Sequence, residues 1–410
     1  MKRYGKSITT TALLLSVIGS GVALADEPAA AAVPPAPAAP AAEPVKYTGP
    51  SIFEVLDGSG ITATGYAEVS WEHLSGTGAF SSFTADRVFD ARHDSFTVNQ
   101  AAITIAMQPK EGFGALVNLT AGQDAEIIKS YPNTGGSDFD VTQAFVQYAT
   151  GPLTVMGGKF VTLAGAEVIN PTTDSNFSRS ILFGYAIPFT HTGLRGTYAF
   201  SDQVSLTLGV NNGWDQLSDA NKDKTVEFGL TLTPIKAFTF VVDGYLGKEP
   251  LGIVNNVATA AEGQRYLVDV VATWAVNDKF TIMANYDNGQ QKDDTFGAAK
   301  NKYQWNGAAI YFNYALTDQW SASLRGEYFN DKDGYRTGVV DVLSGDGQKW
   351  KEATLTLAYA PSKHFVLRIE GRYDKSNIDG AFIKDTNSTT GALDVTDSQS
   401  SIALEGMYKF

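Results

Sequence analysis

HFVLRIEGRYD occupies residues 364–374. Phe365, Leu367, Ile369, Gly371 and Tyr373 share one parity, and Val366, Arg368, Glu370, Arg372 and Asp374 share the other. Successive side chains of a β-strand point to opposite faces, so the stretch reads as a strand with one apolar face and one charged face. The same rhythm runs through KFTIMANYD (279–287), QWSASLRGEYF (319–329) and ATLTLAYAP (353–361). It also runs to the last residues, SIALEGMYKF (401–410).

These segments are long for a soluble sheet, whose strands are usually about five or six residues. Their length suits a tilted crossing of a lipid bilayer. Two kinds of connection alternate. Tight turns such as SDQ (201–203), NDK (277–279) and PSK (361–363) carry hairpin-type residues. Between them lie long, polar, Gly-rich stretches near 75–93, 124–138, 163–186, 215–223, 250–263, 291–301, 332–348 and 378–395. Seven turns and eight loops imply sixteen strands, with 12–18 as the bracket. A soluble sandwich or propeller is the alternative architecture. The expected fold is an all-β, transmembrane antiparallel barrel over 61–410, because a sheet in hydrocarbon satisfies its backbone only by closing on itself.

Closure requires the last strand to pair with the first, near ITATGYAEVSWE (61–72). Ile402, Leu404, Gly406, Tyr408 and Phe410 then form a lipid face. The terminal Phe410, with Tyr408, is the expected signal for a barrel-assembly machinery. Trp274 and Trp320 adjoin tight turns, Trp71, Trp214 and Trp350 adjoin loops, and Trp305 lies nearer a loop. That distribution predicts two interfacial girdles.

The first 25 residues pair a basic start (Lys2, Arg3, Lys6) with an apolar run ending in Ala23-Leu24-Ala25, the pattern of a cleaved secretory signal peptide. Residues 26–50 read as an Ala/Pro-rich periplasmic linker and 51–60 as a short lead-in. Removing the leader takes the net charge from −13 to −16, which argues against nucleic-acid binding. The chain has no Cys, which excludes disulfides, thiolate metal sites and a Cys nucleophile. His73, His93, His191 and His364 show no metal-ligand spacing, and GGKF (157–160) departs from a phosphate-binding loop. No cofactor and no metal are expected.

A barrel of sixteen strands is too wide for side chains to fill. Parity assigns its interior Glu68, Glu72, Arg195, Glu227, Asp243, Asp269, Asp287, Arg325, Glu327, Glu352, Arg368, Glu370, Arg372, Asp374 and Glu405. The pattern suggests a wet lumen with a mild cation preference. The third loop, 163–193, holds Glu167, Asp174, Arg179 and His191 among aromatic and aliphatic residues. It is too apolar for a free surface loop, so it is expected to fold into the barrel as a constriction. Packing on the rim or in a subunit contact is the other reading.

The run from Gly157 to Asp215 resembles the signature region of the OmpL-like β-barrel porins. The resemblance rests on Gly158-Lys159-Phe160, Gly165-Ala166-Glu167, Ser178-Arg179-Ser180, the stretch from Pro188 to Gly193, and Asn211 to Asp215. It implies an outer-membrane porin of a Gram-negative bacterium. Such a protein would meet outer-membrane lipids and lipopolysaccharide, pass small hydrophilic solutes or ions, and be able to form a homo-oligomer. An enzymatic barrel (lipase or protease) and a structural or partner-binding barrel are the alternatives from other functional classes.

Overall fold

Period-two alternation becomes sixteen long strands in a computed structural model. It describes residues 56, 58–78, 87–90, 92, 94–132, 138–254, 257–295, 298, 301–341, 344–386 and 393–410. The leader, the linker, most of the lead-in and His93 lie outside the described residues. The barrel strands are β1 (Thr62–Leu74), β2 (Ser95–Met107), β3 (Gly112–Ala121), β4 (Phe139–Thr150), β5 (Leu153–Val161), β6 (Thr190–Ser201), β7 (Val204–Asn211) and β8 (Thr225–Ile235). They continue as β9 (Phe238–Pro250), β10 (Glu262–Asn277), β11 (Phe280–Lys292), β12 (Lys302–Ala315), β13 (Trp320–Asp331), β14 (Lys349–Ser362), β15 (Phe365–Ser376) and β16 (Ser398–Lys409).

Each strand pairs with its sequence neighbours, and β16 closes on β1, from Tyr66↔Lys409 to Leu74↔Ser401. The expected sixteen-stranded antiparallel barrel is the observed fold. Ile402, Leu404, Tyr408 and Phe410 point outward and are exposed. Phe410 completes the seam: its N–H donates to the Gly65 carbonyl at 2.9 Å, and the Gly65 N–H returns a bond at 3.1 Å.

Alternation breaks at bulges. In β2 the residues before Asn99 and those after it face the interior on opposite parity, and the register with β1 shifts there. In β5, Gly158 at φ +141° lets both Lys159 and Phe160 turn inside. A side chain at Gly158 would run into the Ala144 carbonyl.

The girdle expectation needs correction. Trp274 and Trp320 are exposed on the outer face near tight turns. Trp214, Trp305 and Trp350 are buried inside the barrel instead. Trp305 pairs with Gly289 across β11 and β12, and its indole lies so close that a Cβ at Gly289 would sit 2.1 Å from it. Outward aromatics toward the loop end are Phe96, Phe139, Tyr286, Tyr328 and Tyr373.

The interior is not uniform. Toward the tight turns, inward Thr197, Thr207, Thr231, Thr273, Asn313 and Ser321 are half-exposed. Toward the loops, segment 162–189 fills the space. Leu182, Phe183, Tyr185 and Ile187 build an apolar core with Tyr245, Trp305, Tyr311 and Phe329 of the wall. A one-turn helix, α1 (Gln123–Ile128), from the second loop adds Ile128.

Candidate functional site: the inward loop and the charged wall

A loop entering a barrel carries backbone N–H and C=O groups that need partners once water is excluded. The wall supplies them with its charged residues. Glu370 accepts from the N–H groups of Phe177 (2.7 Å) and Ser178 (3.0 Å). Glu327 accepts from those of Ile181 (2.8 Å) and Leu182 (3.2 Å), at the start of a π-turn at Leu182–Ala186. Arg368 donates to the Asp174 carbonyl at 2.5 Å, and Arg372 donates to the Arg179 carbonyl at 2.7 Å. On the opposite side the Tyr245 hydroxyl accepts from the Leu163 N–H at 2.7 Å, and Trp305 donates to the Ala186 carbonyl at 3.0 Å.

Arg325 is the centre of this wall and is completely buried. It meets Glu167 of the loop at 2.7 Å and Glu352 of β14 at 3.1 Å, and donates to the Ser178 carbonyl at 2.6 Å. Glu167 spends its other oxygen on the Ser180 N–H at 2.7 Å. Two carboxylates around one guanidinium, each with a further partner, make a satisfied buried network. Beside it, Arg368 pairs with Glu405 (3.1 Å) and Arg372 with Asp374 (2.8 Å). Arg87 of the first loop bridges Glu72 and Asp374, at 2.9 Å each.

The four loop residues singled out by sequence do not converge. Glu167 docks on Arg325. Asp174 and Arg179 pair at 3.0 Å, and Arg179 lies over the rings of Phe89 and Phe183. Burial tends to lower the Arg179 pKa, but Asp174, Glu68, Glu167 and Asp124 outweigh it and hold the guanidinium above its ordinary range. His191 begins β6, stacks on Tyr245 at 4.5 Å and bonds the Gly213 carbonyl, away from the other three.

All the wall charges assigned by parity face inward, but they do not face water. Glu68, Glu72, Arg195, Asp243, Asp269, Asp287, Arg325, Glu327, Arg368, Glu370 and Arg372 are all buried. The expectation of a wet, charged lining is corrected: these residues hold the loop and one another. Arg195 makes a two-pronged pair with Glu227, at 2.6 and 3.0 Å. Asp243, Asp269 and Asp287 sit directly opposite one another on β9, β10 and β11. Neither Asp243 nor Asp287 has a hydrogen-bonding partner for its two oxygens apart from this row. Among the described residues no His, Cys, Asp and Glu side chains are grouped to hold a metal ion.

Sequence reading missed the Lys159–Asp140 pair (2.9 Å), because the β5 bulge hides its parity. It also missed Arg265 and Arg336. Arg265 shares parity with Asp269 in β10 and could have been found that way, whereas Arg336 lies in an aperiodic loop.

Residues 60–410 match the family model described as "Putative beta-barrel porin-2, OmpL-like". No curated protein matches the chain. Solved barrels share the architecture at low identity. OmpT of Vibrio cholerae in its trimer form is 12% identical, with a TM-score of 0.58 over 85% of this chain and 99% of that one. An anion-selective porin from Comamonas acidovorans is 10% identical, with a TM-score of 0.56 over 85% and 99%. The outer membrane channel DcaP of Acinetobacter baumannii is 12% identical, with a TM-score of 0.54 over 85% and 97%. At these identities the likeness speaks for the fold alone. The family match, spanning the whole barrel, speaks for descent: this chain belongs to the OmpL-like β-barrel porins, proteins of the Gram-negative outer membrane.

Proposed function

We propose that the protein is a non-enzymatic channel through which small hydrophilic solutes or ions diffuse passively, with loop 162–189 as its constriction. The observation that carries this reading is the seating of the loop on the Arg325–Glu167–Glu352 cluster, deep inside the barrel. A loop held by buried ion pairs narrows the lumen at a fixed place. A cavity of about 170 Å³ remains beside it, lined on one side by Tyr66, Thr104, Asn118 and Glu167 and on the other by apolar residues such as Leu163 and Phe183, with room for water and small solutes. The half-exposed Thr and Ser toward the tight turns offer a hydrophilic exit.

The same proposal has the leader cleaved after Ala25 and the barrel inserted by the assembly machinery through Tyr408 and Phe410. In the membrane it contacts lipid and lipopolysaccharide. A homo-oligomer fits the proposal, in line with the trimer form of the V. cholerae protein.

Conductance of the purified mature chain in planar bilayers tests the reading. Stable ion-permeable steps are expected, altered in size or ion selectivity by Glu167→Gln or Arg179→Gln. Currents unchanged in both variants refute the constriction. A silent barrel that hydrolyses lipid or peptide would favour the enzymatic class.

A further inference from the structure

Arginines inside this barrel follow a rule. Arg87, Arg179, Arg195, Arg325, Arg368 and Arg372 each pair with a carboxylate. Arg265 and Arg336 do not. Both approach the ring of Trp214, at 4.8 and 5.4 Å, and Arg336 also lies 5.3 Å from the ring of Trp305. Stacking and carbonyl oxygens hold them in place. Arg265 donates to the Pro250 carbonyl (2.9 Å), the Tyr335 hydroxyl (2.6 Å) and Gln291 (2.5 Å). Arg336 uses its Nε on the Tyr185 carbonyl. Among the described residues, Nη1 of Arg265 and both terminal nitrogens of Arg336 have no hydrogen-bond acceptor.

Carboxylates lie nearby but are engaged elsewhere. Asp215 accepts from the N–H groups of Phe189 (2.8 Å) and Thr190 (3.0 Å). Glu249 accepts from Trp214, Gln216 and Thr225. Asp331 accepts from the N–H groups of Tyr335, Arg336 and Thr337. Glu249 acts on Arg265 through its field, as Asp331 and Asp215 act on Arg336, but neither arginine makes the direct ion pair that the other six have. Burial and the charge of Arg265 both push the Arg336 guanidinium below its ordinary range.

Arg265 and Arg336 line a cavity of about 620 Å³ at the loop end of the barrel, together with Trp214, Tyr131, Tyr335, Phe189 and Asp215, whose Oδ1 takes both of its backbone bonds. Glu126 and Lys129 stand on its lining as a pair of opposite charges. That volume lies within the range of small-molecule sites. The two free terminal nitrogens of Arg336 form a fork that matches a planar carboxylate, the free Nη1 of Arg265 adds a single donor, and the aromatic walls match a flat apolar body.

We propose that this cavity binds a small organic carboxylate with a planar, apolar body, its carboxylate held between Arg265 and Arg336. This gives the channel reading a solute class, and rests on that reading only for its physiological sense.

The test is isothermal titration calorimetry on the mature chain refolded in detergent, with benzoate as the probe. Benzoate is expected to bind. Benzamide, its neutral counterpart, should give no heat, and acetate and inorganic phosphate should bind at least about tenfold more weakly. Arg336→Gln and Arg265→Gln should each weaken benzoate by about tenfold or more. If Arg336→Gln does not fold, Arg336→Lys keeps the charge, loses the fork and should still weaken benzoate by about fivefold. No benzoate binding, equal binding of benzamide or phosphate, or unchanged affinity in the folded variants would overturn the assignment. Benzoate binding by a barrel silent in bilayers would sink the channel reading and leave this site standing, and conduction without benzoate binding would do the reverse.

Discussion

The ring of Phe410 lies directly over Gly65 on the outer surface of the seam between β16 and β1. A Cβ at Gly65 would sit 2.5 Å from the ring and 2.7 Å from the Ala102 carbonyl. The backbones of the same two residues exchange hydrogen bonds. The terminal aromatic thus covers the joint where the sheet closes. Gly65→Val should lower the yield of folded barrel sharply, read as loss of the heat-modifiable band on a semi-native gel. Gly371→Val is the control, since a Cβ there meets nothing within 4 Å. Equal yields from the two variants would contradict the packing described.

Removing Arg325 leaves Glu167 buried without its paired counter-charge and Glu352 with only the longer contact to Arg372, at 3.9 Å. Arg325→Ala should destabilise the protein by about 3–5 kcal/mol, the usual result of breaking a buried pair from one side. The loop should also loosen, so limited proteolysis should newly cut within 163–189. Adding Glu167→Gln to Arg325→Ala should recover part of the loss, because the two residues act on one contact. Strict additivity would show that they do not.

Acidity should tighten the loop. Burial pushes the Asp174 carboxyl up to about 7, against the pull of Arg179. Burial pushes Asp124 in α1 up to about 6. Between the ordinary carboxyl value of 3.8 and these raised values, the folded protein binds more protons than the unfolded chain. Stability therefore falls as pH rises through that window and is regained on acidification. The thermal midpoint should be higher near about pH 5 than near about pH 7.5. Asp174→Asn should flatten the profile, and an unaltered slope in that variant would exclude Asp174 as its source.

Asp269 stands between Asp243 and Asp287 in a row of buried acids. Like charges so placed repel, and removing the middle one relieves both contacts, while an Asn side chain keeps an oxygen for the bond that Asp269 accepts from Asn285. Asp269→Asn should raise the thermal midpoint by a few degrees, measured by the loss of β-sheet circular dichroism. A lowered midpoint would mean that the row is held by something other than tolerance of its charges.

Period-two alternation made the strands, their number and the closing pair legible, because a lipid-facing surface repeats the same constraint on every strand. The inward placement of segment 162–189 was legible from Ile181, Leu182 and Phe183, too apolar for a water-exposed loop. What the wall charges do was not. Glu327 and Glu370 accept from loop N–H groups far away in sequence, and no periodicity encodes that contact. Trp305 and Trp350 misled for a related reason. Their position near strand ends is the same for a girdle and for an inner core, and only register separates the two. At the bulges by Asn99 and Gly158 one extra residue reverses the faces, so parity carries no information across them.

The inward loop lies between β5 and β6, but its anchors come mostly from the last third of the chain. Ile181 is 146 residues from Glu327, and Phe177 is 193 from Glu370. Contacts so distant along the chain form late, since the intervening sheet must be in place first. The loop therefore takes its seat only after the C-terminal strands have been laid down, and until then the arginines and glutamates of the wall are bathed in water.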